Sequence, residues 1–304
     1  MNRRFISPFC VLICVVALGA CLLTWWLDRL LPKSSIHSPS GPSRVVSIAP
    51  HVTAILFAMD AGDCVAGVSD YCLLPPNVNR PRCGGVVNPN FERIIALRPQ
   101  WLFLMGEMDR LRRFAMARGI EPEAINVQRY ADLVRETRRM GRRLHREATA
   151  EKLIRQMESR LETVRRNARD LPTCRTLLLI ERENGSLRHM IAVGGASFLS
   201  EMLELAGGQN IFQDNKQAYF QLSRESLLVA RPDIIFELRF HQATGDDLKK
   251  QLREDWQAEP SLPAVKNHRL VAGVNPAFTI PGPGMIDTAE WFQKTLKDFF
   301  PPCP

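Results

Sequence analysis

One pattern of hydrophobic and polar positions occurs twice in the chain. In the first half, Glu92 opens the segment ERIIALRPQWLFLM, and in the second half Glu225 opens ESLLVARPDIIFEL. Each segment runs from a carboxylate through a short amphipathic helix to an Arg-Pro pair, and then into a continuous apolar run. Proline ends a helix, and a bounded apolar run is typical of a strand buried on both faces. The repeat therefore predicts two related α/β lobes.

The other hydrophobic runs extend this alternation of strands and helices through both halves. An apolar segment, a helix and an Ala-Gly pair precede each repeat, with the pairs at Ala61-Gly62 and Ala206-Gly207. The predicted strands are 45–48, 65–68, 101–105, 124–127, 176–180, 190–193, 233–238 and 269–272. The predicted helices are 50–59, 92–97, 108–118, 130–145, 197–205, 225–230, 248–254 and 285–299.

One long helix, 149–169, is predicted between the halves. Its apolar residues recur at steps of four and three and form one stripe on a charged helix. They are Leu153, Met157, Leu161, Val164 and Ala168. At about 1.5 Å per residue this helix is roughly 31 Å long, enough to brace two lobes. The expected boundaries are 44–146 for the first lobe, 147–170 for the interlobe helix and 171–304 for the second lobe.

Residues 1–33 are interpreted as a membrane anchor or signal segment. Arg3 and Arg4 precede an uncharged run, 5–27, that is long enough to span a bilayer. Three alternatives stay open: an uncleaved anchor, a lipidated N-terminus and a released signal peptide. Each of them places the globular part outside the cytoplasm, on the periplasmic or cell-surface side.

The lipidation alternative depends on Cys21. The tetrapeptide LGAC that ends at this residue resembles a bacterial lipobox, in which the cysteine is acylated after cleavage. Lipoproteins usually become polar after that cysteine, whereas here the apolar sequence continues. Residues 34–43 are rich in Ser, Pro and Gly without hydrophobic periodicity, as expected for a linker from the membrane to a folded domain.

Composition adds a positive charge to this picture. The chain of 304 residues has a net charge of +8, with 45% hydrophobic and 24% charged residues, which is globular composition. Most of the excess lies in 129–169. That region is either a nucleic-acid or anionic-lipid surface, or a solvated helix face with pairs such as Glu151 and Arg155. Because aromatic residues do not alternate with the arginines, we expect no nucleic-acid partner.

The globular part contains cysteines in a compartment that permits disulfides. They are Cys64, Cys72, Cys83, Cys174 and Cys303. A disulfide between Cys72 and Cys83 would close the proline-rich loop between them. The alternative is that both are buried free thiols, and the odd count leaves the two open.

Four motifs carry a resemblance to a known family. They are RVVSIAPHVTAILFAMDAGDCVAGVSDYC, NPNFERIIALRP, GGASFLSEMLELAGGQNIF and QLSRESLLVARPDIIF. Together they resemble the helical-backbone class of ABC-transporter substrate-binding proteins, which includes cobalamin-binding and ferric-siderophore-binding proteins. The resemblance covers residues 44–299 and is closest to the cobalamin-binding branch, in the SDYC segment and the spacing before SRES.

The resemblance implies an α/β fold of two Rossmann-like lobes bridged by one long α-helix, with the ligand cleft between the lobes. The implied ligand is a cobalt corrinoid or a ferric chelate, and no covalently bound cofactor or resident metal is expected. The implied function is capture of this chelate by a membrane-tethered monomer and delivery to an ABC-transporter permease. The alternative is a membrane-anchored envelope interaction module with the same fold and no transport role.

Glu92 and Glu225 match the positions at which the cobalamin-binding proteins pair with permease arginines. Their equivalent places in the two repeats independently favour a shared face and a partner with two-fold symmetry. The alternative is that each is a first-turn glutamate favoured by the helix dipole. The dipole accounts for each residue but not for the matched pair.

The implied ligand contacts are aromatic. Tyr71 falls where the cobalamin-binding proteins have a ligand-contacting tyrosine, and Tyr219 falls where they have a tryptophan. Aromatic rings suit a flat macrocycle because they offer a large apolar area of fixed geometry. Val86 replaces a second family tryptophan, which is a departure from the pattern. Asp70 and Phe278 are further candidates for the rim of the cleft, with a loop residue and a core aromatic as the alternatives.

His51 is a candidate axial ligand for cobalt or haem iron, because it starts a predicted helix on the cleft side. The alternative is a capping or packing histidine. The chain has only six histidines and no His-rich loop. A receptor for bare zinc or manganese is therefore not expected.

Enzyme motifs are absent from the sequence, which contains no G-x-S-x-G, no G-x-G-x-x-G after a strand, no P-loop and no H-E-x-x-H. Asp233, Glu237 and Arg239 near a strand could imitate a catalytic site, but charges at strand ends are usually solvated. We therefore expect that the protein is not an enzyme.

Overall fold

Each predicted lobe forms around its own sheet. The computed structural model describes residues 43–238 and 245–301. The predicted anchor with Cys21, and residues 34–42 of the linker, lie outside these ranges. Across the described ranges, no helix combines the length and the apolar character that crossing a membrane requires.

The N-terminal lobe, as far as it is described, has parallel strands in the order β2-β1-β3-β4. The strands are β1 (Val45–Ser47), β2 (Val65–Val68), β3 (Trp101–Leu104) and β4 (Glu121–Ala124). The helices are α1 (Pro50–Ala58), α2 (Phe91–Ala96) and α3 (Asp109–Met116), and a 3-10 turn occupies Gly62–Cys64. Strand β1 lies fully buried at the centre, as its apolar sequence predicts.

Strand β4 corrects one prediction, because it begins before the expected position at 124–127. Its sequence is polar, and Glu123 is buried beside Arg139 and Arg143, at 3.3 Å from each guanidinium. The charge of Glu123 on this edge strand is neutralised by residues that are distant in sequence. The local hydrophobic pattern therefore could not reveal it.

Two helices follow the N-terminal sheet, and the second is the long helix between the lobes. They are α4 (Tyr130–Leu144) and α5 (Glu147–Ala168). His145 ends α4 in the left-handed conformation, with φ of 54°, and so turns the chain into α5.

The C-terminal lobe has a mixed sheet in its described residues, with the strand path β10-β9-β5-β6-β8 and β7 paired to β5. The strands are β5 (Cys174–Glu181), β6 (Ile191–Val193), β7 (Gly208–Asn210), β8 (Tyr219–Gln221), β9 (Ile234–Leu238) and β10 (Leu270–Gly273). The helices are α6 (Phe198–Leu205), α7 (Arg224–Ala230), α8 (Gly245–Trp256), α9 (Pro263–Lys266) and α10 (Met285–Phe299), with a 3-10 turn at Pro276–Thr279. Strands β7 and β8 were not predicted, because each is a short segment with polar residues.

The apolar stripe predicted on α5 is confirmed, and it lies in a core that both lobes share. All five stripe residues are buried. The same hydrophobic cluster continues into α1 and α4 on one side and into α6 and α10 on the other. The predicted α/β class, with two lobes bridged by one long helix, is confirmed as well.

Polar contacts tie the lobes at a second place, where α4 begins. Arg129 Nη1 donates to the carbonyl oxygen of Gly195 at 2.9 Å. The backbone N–H of Tyr130 donates to Glu201 Oε2, also at 2.9 Å. These contacts join residues far apart in sequence, so the junction does not depend on α5 alone.

Several arginines of α4 and α5, and Arg146 between the two helices, have acidic partners inside the protein. Arg146 pairs with Asp63 at 2.6 Å. Glu151 pairs with Arg138 of α4 at 2.7 Å, where the sequence had suggested Arg155. Such pairs support the interpretation of this basic region as a charged helix surface.

Candidate functional site

The helices that precede β3 and β9 begin on the side of each sheet where the parallel strands end, which we call the carboxyl edge. Each helix runs back along the sheet before its strand, so its N-terminus and the loops that follow strands meet there. Ligands of open α/β sheets bind outside the carboxyl ends of strands. We therefore expect the ligand and docking residues at this edge.

Tyr71 lies in the loop after β2, at the carboxyl edge of the N-terminal lobe, with 69% of the residue exposed. Its ring lies over Gly85, where a Cβ atom would approach Tyr71 Cε2 to 2.7 Å. A side chain at Gly85 would displace the ring. Asp70 beside it is exposed, and its backbone N–H donates to the carbonyl oxygen of Gly84 at 3.0 Å.

Arg82 holds the Tyr71 loop in place. Its Nη1 donates to the carbonyl oxygens of Ser69 at 2.9 Å and of Cys72 at 2.7 Å. These two carbonyls flank Tyr71 in the chain. The tyrosine is thus presented from a fixed loop.

Further exposed apolar side chains follow strands β2 and β3 at the same edge as Tyr71, and most of them were not predicted site residues. They are Leu73, Val86, Val87 and Met105. The first three belong to the loop after β2, and Met105 directly follows β3. Exposed apolar side chains that collect at strand ends mark a binding surface more often than scattered ones do. Their position after predicted strands was the signal that could have identified them.

Tyr219, the second predicted aromatic contact, begins β8 in the C-terminal lobe. It is partly exposed, and its hydroxyl accepts a hydrogen bond from Ser197 Oγ at 3.4 Å. Ser197 caps the N-terminus of α6, because its Oγ accepts from the N–H of Leu199. Burial of the phenol raises the pKa of Tyr219, so the ring is neutral at physiological pH.

Gly195 lets the segment that leads into α6 approach the chain before β8. A Cβ atom at this position would overlap the carbonyl oxygen of Gln213. Glycine at this point of the GGAS motif is therefore required by packing.

His51 does not fit the predicted role of an axial ligand. It is buried at the start of α1, and its Nε2 lies 3.0 Å from the carbonyl oxygen of Ile125, to which it donates. Burial lowers the pKa of the imidazole, which favours the neutral form. In the structure, His51 is a packing histidine.

Phe278 does not fit the predicted rim position either. It is buried and stacks on Trp291, with ring centroids 4.8 Å apart. The ring is therefore part of the core against α10.

Cys72 and Cys83 are free thiols in the structure, so the disulfide alternative is not formed there. Cys72 Sγ lies 3.1 Å from the hydroxyl oxygens of Thr53 and Ser69, and both cysteines are buried. Burial raises the pKa of Cys83 to about 11. Each thiol has its own packing environment.

Glu92 and Glu225 are exposed at equivalent places, in the first turns of α2 and α7. Asn90 caps α2 by accepting from the N–H of Arg93, and Ser223 caps α7 by accepting from the N–H of Ser226. Each glutamate is thus the second residue after its cap. A hydrogen bond from its own backbone N–H, followed by one from Ser223, lowers the pKa of Glu225 and keeps it ionised.

The repeat extends to the ends of these helices. Arg98 after α2 has φ of 46°, and Arg231 after α7 has φ of 44°. Non-glycine residues rarely adopt this left-handed conformation. The two helices are therefore matched from cap to end, and each carries one glutamate at a carboxyl edge.

Glu237 corrects the expectation of solvated charges at the strand end. Its carboxylate is buried on β9 and lies 2.5 Å from Nε of Arg182. Trp256 Nε1 also donates to it, at 2.7 Å. Asp255 completes the group, at 2.8 Å from Arg182 Nη1. Glu237, Arg182 and Asp255 therefore form an ion cluster inside the protein.

Comparisons with known proteins agree with the two-lobe fold. A family model described as periplasmic binding protein matches residues 45–275. The vitamin B12-binding protein of Vibrio cholerae serotype O1 is 26% identical over 289 residues, which cover 93% of this chain and 98% of the relative. An uncharacterized ABC transporter substrate-binding lipoprotein of Bacillus subtilis is 25% identical over 266 residues, covering 84% and 80%. The crystal structure of the periplasmic heme-binding protein of Vibrio cholerae has the same fold, with a TM-score of 0.72 and 23% identity over 84% of this chain and 98% of that one.

Proposed function

Because the chain belongs to the periplasmic binding protein family, we propose that it captures a cobalt corrinoid outside the cytoplasm and delivers it to an ABC-transporter permease. The family consists of transport substrate-binding proteins, so the prediction that the chain is not an enzyme is confirmed. The ligand, the permease and the residues that contact them are parts of the proposal.

The observation that carries the proposal is the exposed ring of Tyr71 at the carboxyl edge. A large ring held over Gly85, on an edge that also exposes Val87 and Met105, suits one face of a flat macrocycle. Tyr219 contributes an aromatic side chain from the other lobe, and Asp70 supplies a polar group beside Tyr71. The similarity to a vitamin B12-binding protein over 93% of the chain favours a corrinoid among such macrocycles.

The docking part of the proposal rests on Glu92 and Glu225. Both are exposed at a carboxyl edge, so the residues that would contact a permease lie on the side from which a ligand would leave. A permease built from two equivalent subunits would present the same basic residue to each glutamate.

The proposed organisation has lobes at 44–146 and 171–304 with the interlobe helix at 147–170. A tether within residues 1–43 would keep the monomer beside its permease. The anchor and the lipidation of Cys21 remain alternatives for this tether.

Thermal unfolding of residues 44–304 with cyanocobalamin, haem and ferric siderophores in parallel tests the ligand. A ligand at ~100 times its dissociation constant adds about 2.7 kcal/mol to the free energy of unfolding. We expect this shift with the corrinoid. A shift with ferric chelates alone would replace the corrinoid, and no shift with any of them would contradict chelate capture.

Two substitutions at Tyr71 separate stacking from metal ligation. Stacking requires only the ring, so Tyr71→Phe should retain corrinoid affinity and Tyr71→Ala should lose it. If the phenolate bound haem iron instead, as tyrosine can, Tyr71→Phe would lose affinity as well.

The docking part is tested with Glu92→Ala combined with Glu225→Ala. We expect weaker association with the permease in lipid nanodiscs and unchanged ligand affinity. The matched control combines Glu121→Ala with Glu158→Ala, two exposed glutamates on β4 and in the middle of α5. Equal association of both double variants would contradict the docking assignment.

A further inference from the structure

The helices α2 and α7, which carry Glu92 and Glu225, also each carry an exposed apolar residue at an equivalent position. Ile95 follows Glu92 by three positions, and Leu228 follows Glu225 by three positions. Residues three apart on a helix are neighbours on its surface. The exposed fractions agree, at 37% for Ile95 and 36% for Leu228.

The residue before each of them turns into the core. Ile94 and Leu227 are fully buried, so the stability of each lobe depends on these inner residues. Single exposed apolar side chains are common on protein surfaces and require no explanation. Two of them at equivalent positions, with equal exposure and the same neighbouring glutamate, are not explained by the folding of either lobe.

We infer that Ile95 and Leu228 are the apolar anchors of two matched docking contacts with one two-fold symmetric permease. This inference rests on the proposed function and deepens it. Each contact combines a glutamate with an apolar side chain one helical turn away. A permease of two equivalent subunits presents one kind of pocket twice, which fits a surface that presents one kind of contact twice.

The two members of each contact have different physical roles. Exposed ion pairs mainly increase the association rate and determine orientation, and they contribute little net affinity. Apolar anchors that are desolvated in a pocket carry most of the binding energy and slow dissociation. The glutamates therefore govern the association rate constant, and Ile95 and Leu228 govern the dissociation rate constant.

The test compares binding kinetics of the full chain with the ABC permease of the source organism in lipid nanodiscs. For Ile95→Ala combined with Leu228→Ala, we expect the dissociation rate constant to rise about tenfold or more, with little change in the association rate constant. Alanine preserves the helices because it is the best helix former. For Glu92→Ala combined with Glu225→Ala, the association rate constant should fall.

Met116 provides the matched control. It is a more exposed apolar residue, at 63%, and it ends α3 on the edge opposite to the carboxyl edge. Met116→Ala should leave both rate constants unchanged. Ligand affinity and circular dichroism should be unchanged in all three variants, which verifies that each is folded.

The outcomes distinguish this inference from the proposed function. If the glutamate variant binds more weakly while the Ile95 and Leu228 variant dissociates like the wild type, the anchor inference is wrong and the docking proposal stands. If the wild type binds its ligand but no permease, docking fails and the inference fails with it. Ile95→Ala and Leu228→Ala should each raise the dissociation rate constant by a similar factor, and an effect of only one would contradict the two-fold match.

Discussion

Replacing Arg182 should destabilise the C-terminal lobe more than any surface charge change. Its side chain is 1% exposed and lies 2.5 Å from Glu237 and 2.8 Å from Asp255. In Arg182→Met, two buried carboxylates lose the cation that neutralises them. Breaking a buried ion pair in this way costs about 3–5 kcal/mol, because the remaining charge stays away from water.

Arg160 offers a matched comparison. It also contacts two carboxylates, Asp287 and Glu290, at 2.6 Å each, but 45% of its side chain is exposed. Water compensates the partners of an exposed pair, so Arg160→Met should cost about 1 kcal/mol or less. The two variants thus remove equal numbers of ion pairs and differ in burial.

Urea unfolding followed by circular dichroism measures both costs. Tryptophan fluorescence follows the same transition, and Trp256, whose Nε1 donates to Glu237, is one of its sources. At an m-value of about 3 kcal/mol/M, the midpoint of Arg182→Met should fall by roughly 1–2 M, and that of Arg160→Met by about 0.3 M or less. Equal shifts of the two variants would refute the argument that burial determines the cost. Replacing Arg182, Glu237 and Asp255 together by apolar residues should recover most of the loss.

Further predictions concern buried residues. Burial lowers the pKa of His51, so its contribution to stability is complete above the unfolded pKa of about 6.5 and decreases as the pH falls below it. The free energy of unfolding of His51→Gln should therefore change less between pH 7.5 and pH 5 than that of the wild type. An equal change in both proteins would contradict this. Burial raises the pKa of Cys83 to about 11 and of Cys174 to about 12, so iodoacetamide at pH 8 should label both slowly in the native protein and rapidly in urea. A Cys83 that stays unlabelled in urea without reductant would instead indicate a disulfide. Phe278→Ala should cost about 3–5 kcal/mol of stability without changing ligand affinity. A loss of ligand affinity without a loss of stability would instead support the predicted position of Phe278 at the rim of the cleft.

Much of the fold follows from local patterns in the sequence. The stripe on α5 has helical spacing, and it is buried along the whole helix. The last helix, α10, has the predicted bounds Met285–Phe299. Errors occur where a strand is polar, as at β4, or where it is only a few residues long, as at β7 and β8. In such strands the pairing partner, and not the segment's own composition, creates the structure.

Some candidate site residues could likewise be predicted from local sequence, and others could not. The equivalent positions of Glu92 and Glu225 could be identified from the repeat, because equivalent sequence produces equivalent caps and first turns. His51 and Phe278 also stood near predicted cleft loops, but their side chains turn into the protein. Position next to a strand end does not determine which way a side chain points.

The sequence by itself determined the two α/β lobes, the long helix between them and the matched glutamates, because periodicity, proline and capping act over a few neighbouring residues. Only the tertiary structure decided which polar groups are buried. His51 meets a carbonyl 74 residues away, and Arg182 meets a carboxylate 55 residues away. Such contacts depend on how distant segments pack, and burial in turn decides whether a charge is a solvated surface group or part of the core.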